Sequence, residues 1–160
     1  MPRKRPGALR AQITRPRRMY GSIGAPPQID RLSGRTVSAI HAEESRRPRD
    51  EGLGLGDTRI ALKCLRTFLA RPGSPLYPRR TVCGCDDCER GENVAVARDL
   101  LALVLSRLPP HRARRELAAL VAELDEELRR RTLPDPFAYR QTWRGGGWWH
   151  GLIYDETCHL

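Results

Sequence analysis

The stretch TVCGCDDCERGEN places Cys83, Cys85 and Cys88 within six residues, in a chain whose other cysteines are Cys64 and Cys158. Thiols gathered this closely can hold a metal ion or exchange electrons with one another. Cys85 and Cys88 are two residues apart, a common spacing for two zinc ligands on one tight loop. Gly84, which reaches backbone angles other residues avoid, lets the chain turn between Cys83 and Cys85. Three thiolates around a divalent cation leave net negative charge, which Arg79, Arg80 and Arg90 could offset. A tetrahedral structural zinc site needs a fourth donor. Cys158 is the leading candidate, with His159 and His150 as alternatives. A donor so near the C-terminal residue would fasten a glycine-rich tail. Asp86 and Asp87 are read as turn-formers, and Cys64 as a packed small hydrophobe.

Catalysis is not expected. A site closed by Cys158 keeps no open coordination position, and the helices offer no His-x-x-x-His spacing. Nucleophile triads and phosphate-cradling glycine loops are missing, and the GGG at 145–147 does not follow a strand and open a helix.

A second set of candidates is basic and aromatic. Arg107, His111, Arg112, Arg114 and Arg115 gather about Pro109 and Pro110. Several lie where a helix should begin and its dipole disfavours cations. Residues held against that cost suggest anion binding. Further on, TWRGGGWWHG sets Trp143, Trp148 and Trp149 beside Arg140, Arg144 and His150. Trp148 and Trp149 could stack on unpaired bases between these arginines. The competing role, which a small core favours, is to cover the open edge of a helical bundle.

The elements that must position these residues follow from periodicity. The 160 residues carry a net charge of +10. Residues 1–56 hold 12 basic against 5 acidic side chains, few large apolar ones, and many Pro, Gly and Ser. They read as a disordered basic leader. Residues 57–160 read as one small helical domain. DTRIALKCLRTFLA is a helix with Asp57 as N-cap and an apolar stripe through Ile60, Ala61, Cys64, Leu65, Phe68 and Leu69. A central helix, apolar on nearly every face, spans about 92–108. A third, at about 111–131, buries Leu117, Leu120, Val121, Leu124 and Leu128. Its outer face pairs Asp125–Arg129, Glu126–Arg130 and Glu127–Arg131 at i,i+4 spacing.

The expected fold is therefore mainly α: three helices, a zinc-knuckle-like loop between the first and second, and an irregular aromatic C-terminal strap. Neither a signal-length apolar run nor a membrane span is present, which predicts a cytoplasmic protein without a membrane partner. In that reducing setting clustered cysteines favour structural zinc. The expected function is a non-enzymatic, zinc-stabilised binding module that contacts nucleic acid, or a partner bound to it, through Arg-rich surfaces. An acidic protein is the other partner such a charge would attract. However, 27 Arg against 2 Lys also fits the coding bias of a GC-rich genome, which supplies Arg whether or not it binds. Two rivals are a protein-interaction adaptor and a thiol redox sensor built on Cys83, Cys85 and Cys88.

Overall fold

The computed structural model describes residues 28–29, 31–46, 52–70, 85–140 and 145–153. It is mainly helical, with no strand among the described residues. Among the described residues five α-helices follow in order: α1 (Gly34–Glu44), α2 (Asp57–Ala70), α3 (Asp86–Glu92), α4 (Val94–Arg107) and α5 (Arg112–Arg131). Single 3-10 turns at Ala138–Arg140 and Trp148–Gly151 complete the set.

Helix α1 corrects the expectation that residues 1–56 are a disordered leader. Ser33 caps it, accepting the Thr36 amide at 3.4 Å. Val37 and Ile40 enter the core, joined from upstream by Ile29 and Leu32. The rest of its buried face is polar: Thr36, His41, Glu43 and Glu44. The ordered bundle thus begins well before Asp57. Residues 1–27, the most basic part of the leader, lie outside the described residues.

Thr36, Glu43 and Glu44 on α1 have partners, whereas His41 Nε2 is buried with no hydrogen-bond partner among the described residues. Glu44 is 2% exposed, and its two oxygens accept the amides of Gly56 and Thr58, each at 2.8 Å. Amides at a helix start lack intrahelical acceptors, so Glu44 caps α2 from a different helix. Asp57, the expected N-cap, instead accepts the Gly54 amide at 2.6 Å and pairs with Arg90 of α3. Arg90 was expected to offset thiolate charge; it is committed to this carboxylate.

Helix α4 takes the central place that its composition predicts. Val94, Ala95, Ala97, Leu100, Leu101 and Val104 are all buried, and α4 touches each of the other four helices. Asn93 sits between α3 and α4 as the C-cap of one and the N-cap of the other. Its side-chain oxygen accepts the amides of Ala95 at 3.0 Å and Val96 at 3.4 Å. Leu108 ends the helix before Pro109 and Pro110, where the chain turns into α5. Within α5, Leu117, Leu120, Val121 and Leu128 are buried as the spacing requires, with Leu124 packed at the margin.

Helices α1 and α5 are joined by one carboxylate. Glu116 accepts from Thr36 Oγ1 at 2.6 Å, Ser33 Oγ at 2.7 Å and Arg112 Nε at 2.6 Å. These donors, Thr36 and Ser33 foremost, pull its pKa down to about 2. A lowered carboxylate pKa contributes stability that is present above the unfolded-state value and lost as pH falls toward the folded one. Glu116→Gln should therefore remove a stability increment that wild type keeps at neutral pH and loses between pH 4.5 and about 2. Denaturant unfolding across that range should show the two proteins converging at the acid end.

Candidate functional site

The cysteine loop is described from Cys85 onward. Cys85 is the exposed N-cap residue of α3, and Cys88 lies half-buried within that helix. Cys83, Cys158 and His159 fall outside the described residues. Among the described residues no three potential metal ligands come together. His150 is held at α4, where its Nε2 stands 2.9 Å from both carboxylate oxygens of Asp99. Cys64 faces the core of α2 as expected, and burial pushes its thiol up to about 11, with the nearby charge of Glu92 assisting. It is protonated and inert at neutral pH.

The segment 145–153 packs back on the helices. Its return past the end of α5 is fixed by the Asp135 amide donating to Gly151 O at 2.7 Å and the Ile153 amide donating to Leu133 O at 2.9 Å. Leu152 enters the core between them. The two rings that precede it are each covered on one face by a guanidinium. Arg98 Cζ lies 4.1 Å from the Trp149 ring centre, and Arg129 Cζ lies 4.1 Å from that of Trp148. The rings themselves meet edge to face at 5.9 Å. Trp149 Nε1 donates to Asp99 at 2.8 Å, the same carboxylate that faces His150.

This folding back explains two of the three glycines. A Cβ on Gly147 would sit 2.3 Å from the Trp149 ring, and one on Gly145 would sit 2.7 Å from His150 Nε2. Both are closer than real side chains approach. Trp148 and Trp149 pack half-buried against the apolar core, the position that the covering role given above requires. Trp143 and Arg144 lie outside the described residues.

Beneath the strap is a buried ion pair. Arg98 of α4 binds Asp125 of α5 through two parallel hydrogen bonds, Nε to Oδ1 at 2.7 Å and Nη2 to Oδ2 at 2.9 Å. Arg98 Nη1 is buried with no hydrogen-bond partner among the described residues. Asp125 was expected on a solvated face, paired with Arg129. It faces inward instead, because the apolar stripe of α5 turns it toward α4. Its neighbours on the outer face do self-neutralise, at i,i+3 rather than i,i+4: Glu126–Arg129 at 2.7 Å and Glu127–Arg130 at 2.5 Å. Arg131, expected to pair with Glu127, donates to Leu69 O. The one hint in the sequence was an Arg–Asp pair inside the otherwise apolar AVARDLLALV.

The basic corner between α4 and α5 is partly engaged. Arg107 is half-buried in the last turn of α4. Arg112 binds Glu116. Arg114 and Arg115 are exposed, and neither forms an ion pair among the described residues. Arg140 is exposed at the 3-10 turn, its Nε donating to Tyr139 Oη at 3.1 Å. Phe137 and Tyr139, on that same turn, are among the most exposed large side chains described and were not singled out from the sequence. Comparison with protein-family models, curated proteins and solved structures found no match, so the functional reading rests on this geometry.

Removing one partner of a buried ion pair strands the other charge, which typically costs about 3–5 kcal/mol, whereas replacing both with apolar groups costs much less. Asp125→Ala should therefore lower unfolding free energy by several times more than the double change Arg98→Met with Asp125→Leu. Trp fluorescence should shift red in the single variant as the unpaired Arg98 turns toward water and leaves its place beneath Trp149. Denaturant titration followed by Trp emission reads both effects.

Proposed function

We propose that the chain is a small non-enzymatic binding module that contacts nucleic acid through its α4–α5 corner and is clipped by a structural zinc ion. The observation that carries the nucleic-acid reading is the state of Arg114 and Arg115. Both stand exposed in the first turns of a 20-residue helix, and among the described residues neither forms an ion pair. Cations are disfavoured there by the helix dipole. A phosphate backbone meeting this corner would supply the missing countercharge, and the net charge of +10 favours the encounter over longer range. Arg107, Arg112 and Arg140 extend the same sign of charge.

The zinc reading rests on Cys83, Cys85 and Cys88, with Cys158 as the fourth ligand. Its support is the spacing in the sequence and the position of Cys85 and Cys88 one turn apart at the start of α3, reachable from the surface. Zinc would supply a closed tetrahedral clip and no chemistry. Because His150 is taken up by Asp99, a terminal cysteine is preferred over it. No helix among the described residues is long and apolar enough to cross a membrane.

Two measurements test these readings. Fluorescence anisotropy with labelled oligonucleotides should show affinity falling steeply with added salt. Arg114→Glu with Arg115→Glu should reduce the log–log salt slope by about two, one for each phosphate contact. Salt-insensitive association, or an unchanged slope in the double variant, would instead favour an adaptor that docks on apolar side chains. Protein purified under reducing conditions should carry about one zinc per chain, lost in Cys88→Ser. Metal-free, fully folded wild type would remove the clip and leave the thiol sensor as the use of these cysteines.

A further inference from the structure

The 3-10 turn at Ala138–Arg140 presents two large aromatic rings to solvent, Phe137 at 56% and Tyr139 at 74% exposure. Burying rings is among the strongest apolar gains in folding, so leaving two open side by side forgoes stabilisation. The turn is nonetheless well made. Asp135 Oδ1 accepts the Phe137 amide at 2.8 Å, and backbone bonds from Ala138 to Asp135 and from Arg140 to Phe137 close it. The rings are displayed on a fixed mount.

Between them stands Arg140, its Cζ 5.2 Å from the Phe137 ring centre and 5.6 Å from that of Tyr139. The bond from its Nε to Tyr139 Oη orients both groups. No carboxylate answers this guanidinium among the described residues. The feature is thus two solvent-exposed rings gathered around one planar cation that no carboxylate answers among the described residues.

We infer that this turn is a stacking platform for unpaired bases of single-stranded nucleic acid, with Phe137 and Tyr139 receiving bases and Arg140 the adjoining phosphate. The inference rests on the nucleic-acid reading above and specifies the class of strand. Duplex bases already have their faces stacked on one another, whereas unpaired bases offer them freely. A partner protein would need a complementary cavity for two projecting rings and a carboxylate for Arg140. A single strand carries flat rings and anionic charge in every nucleotide. Trp148 and Trp149 are half-buried against the apolar core, whereas the exposed Phe137 and Tyr139 are free to take the stacking task.

The test uses the full chain and 5′-labelled oligothymidylate of about 15 nucleotides, within the usual footprint of such sites, against a duplex of the same length. Tyr139→Ala should weaken single-strand binding about tenfold while leaving duplex affinity and the salt slope unchanged, since stacking carries no counterions. Tyr139→Trp should restore the loss. If wild type binds the single strand and Tyr139→Ala binds it equally well, the platform is refuted and the electrostatic reading stands. Failure of wild type to bind either probe overturns both. A loss that Tyr139→Trp does not restore shows that the ring face is not the contact, and likewise overturns the platform.

Discussion

A charge pair buried between α4 and α5 organises the C-terminal half of this protein. Arg98 and Asp125 join through two bonds in the plane of the guanidinium, which leaves the flat face of that cation to be covered. Trp149 covers it. Once that ring is in place its indole nitrogen reaches Asp99, next in sequence to Arg98, and His150 follows onto the same carboxylate. Trp148 then falls against Arg129, one turn along α5 from Asp125. The strap is therefore positioned by polar groups of two helices. Such a pair is expensive to desolvate and gives little net stability over an apolar replacement, but it does specify where the strap docks.

The N-terminal half uses carboxylates differently. Glu44 closes the start of α2, Glu116 gathers the start of α1, and Asp57 binds α3 through Arg90. Each reaches from one helix to the end or flank of another. In a bundle with short helices and a modest apolar core, these contacts fix the relative positions of elements that propensity alone would leave loosely associated.

The long helices were legible because their buried faces are apolar. Leu117, Leu120, Val121 and Leu128 recur at helical spacing and are buried as that spacing demands, and the all-apolar α4 is central. Helix α1 was not legible for the opposite reason. Its inward face carries two aliphatic side chains and four polar ones, so periodicity has almost nothing to register, and the Arg-rich surroundings resemble an unfolded segment. Ser33 three residues before Thr36, ahead of Val37 and Ile40, was the available signal. Asp125 was misassigned because charge spacing along one helix cannot reveal a partner 27 positions away. The tryptophans were legible as a group but their task was not, since covering a bundle edge and stacking on a base call for the same residue types. Phe137 and Tyr139, in a short PDPFAY turn with no periodic context, gave no signal of exposure.

Asn93 has a further consequence. It ends α3 and begins α4 with no residue between them, so the two helices share one joint instead of a linker. Cys85 and Cys88 sit on the short arm of that lever, and the buried axis of the bundle is the long arm. Any bond made to either sulfur, whatever its chemistry, would bear on the interior through this asparagine joint and through the Arg90–Asp57 pair. The surface thiols and the apolar centre are thereby parts of one mechanical unit.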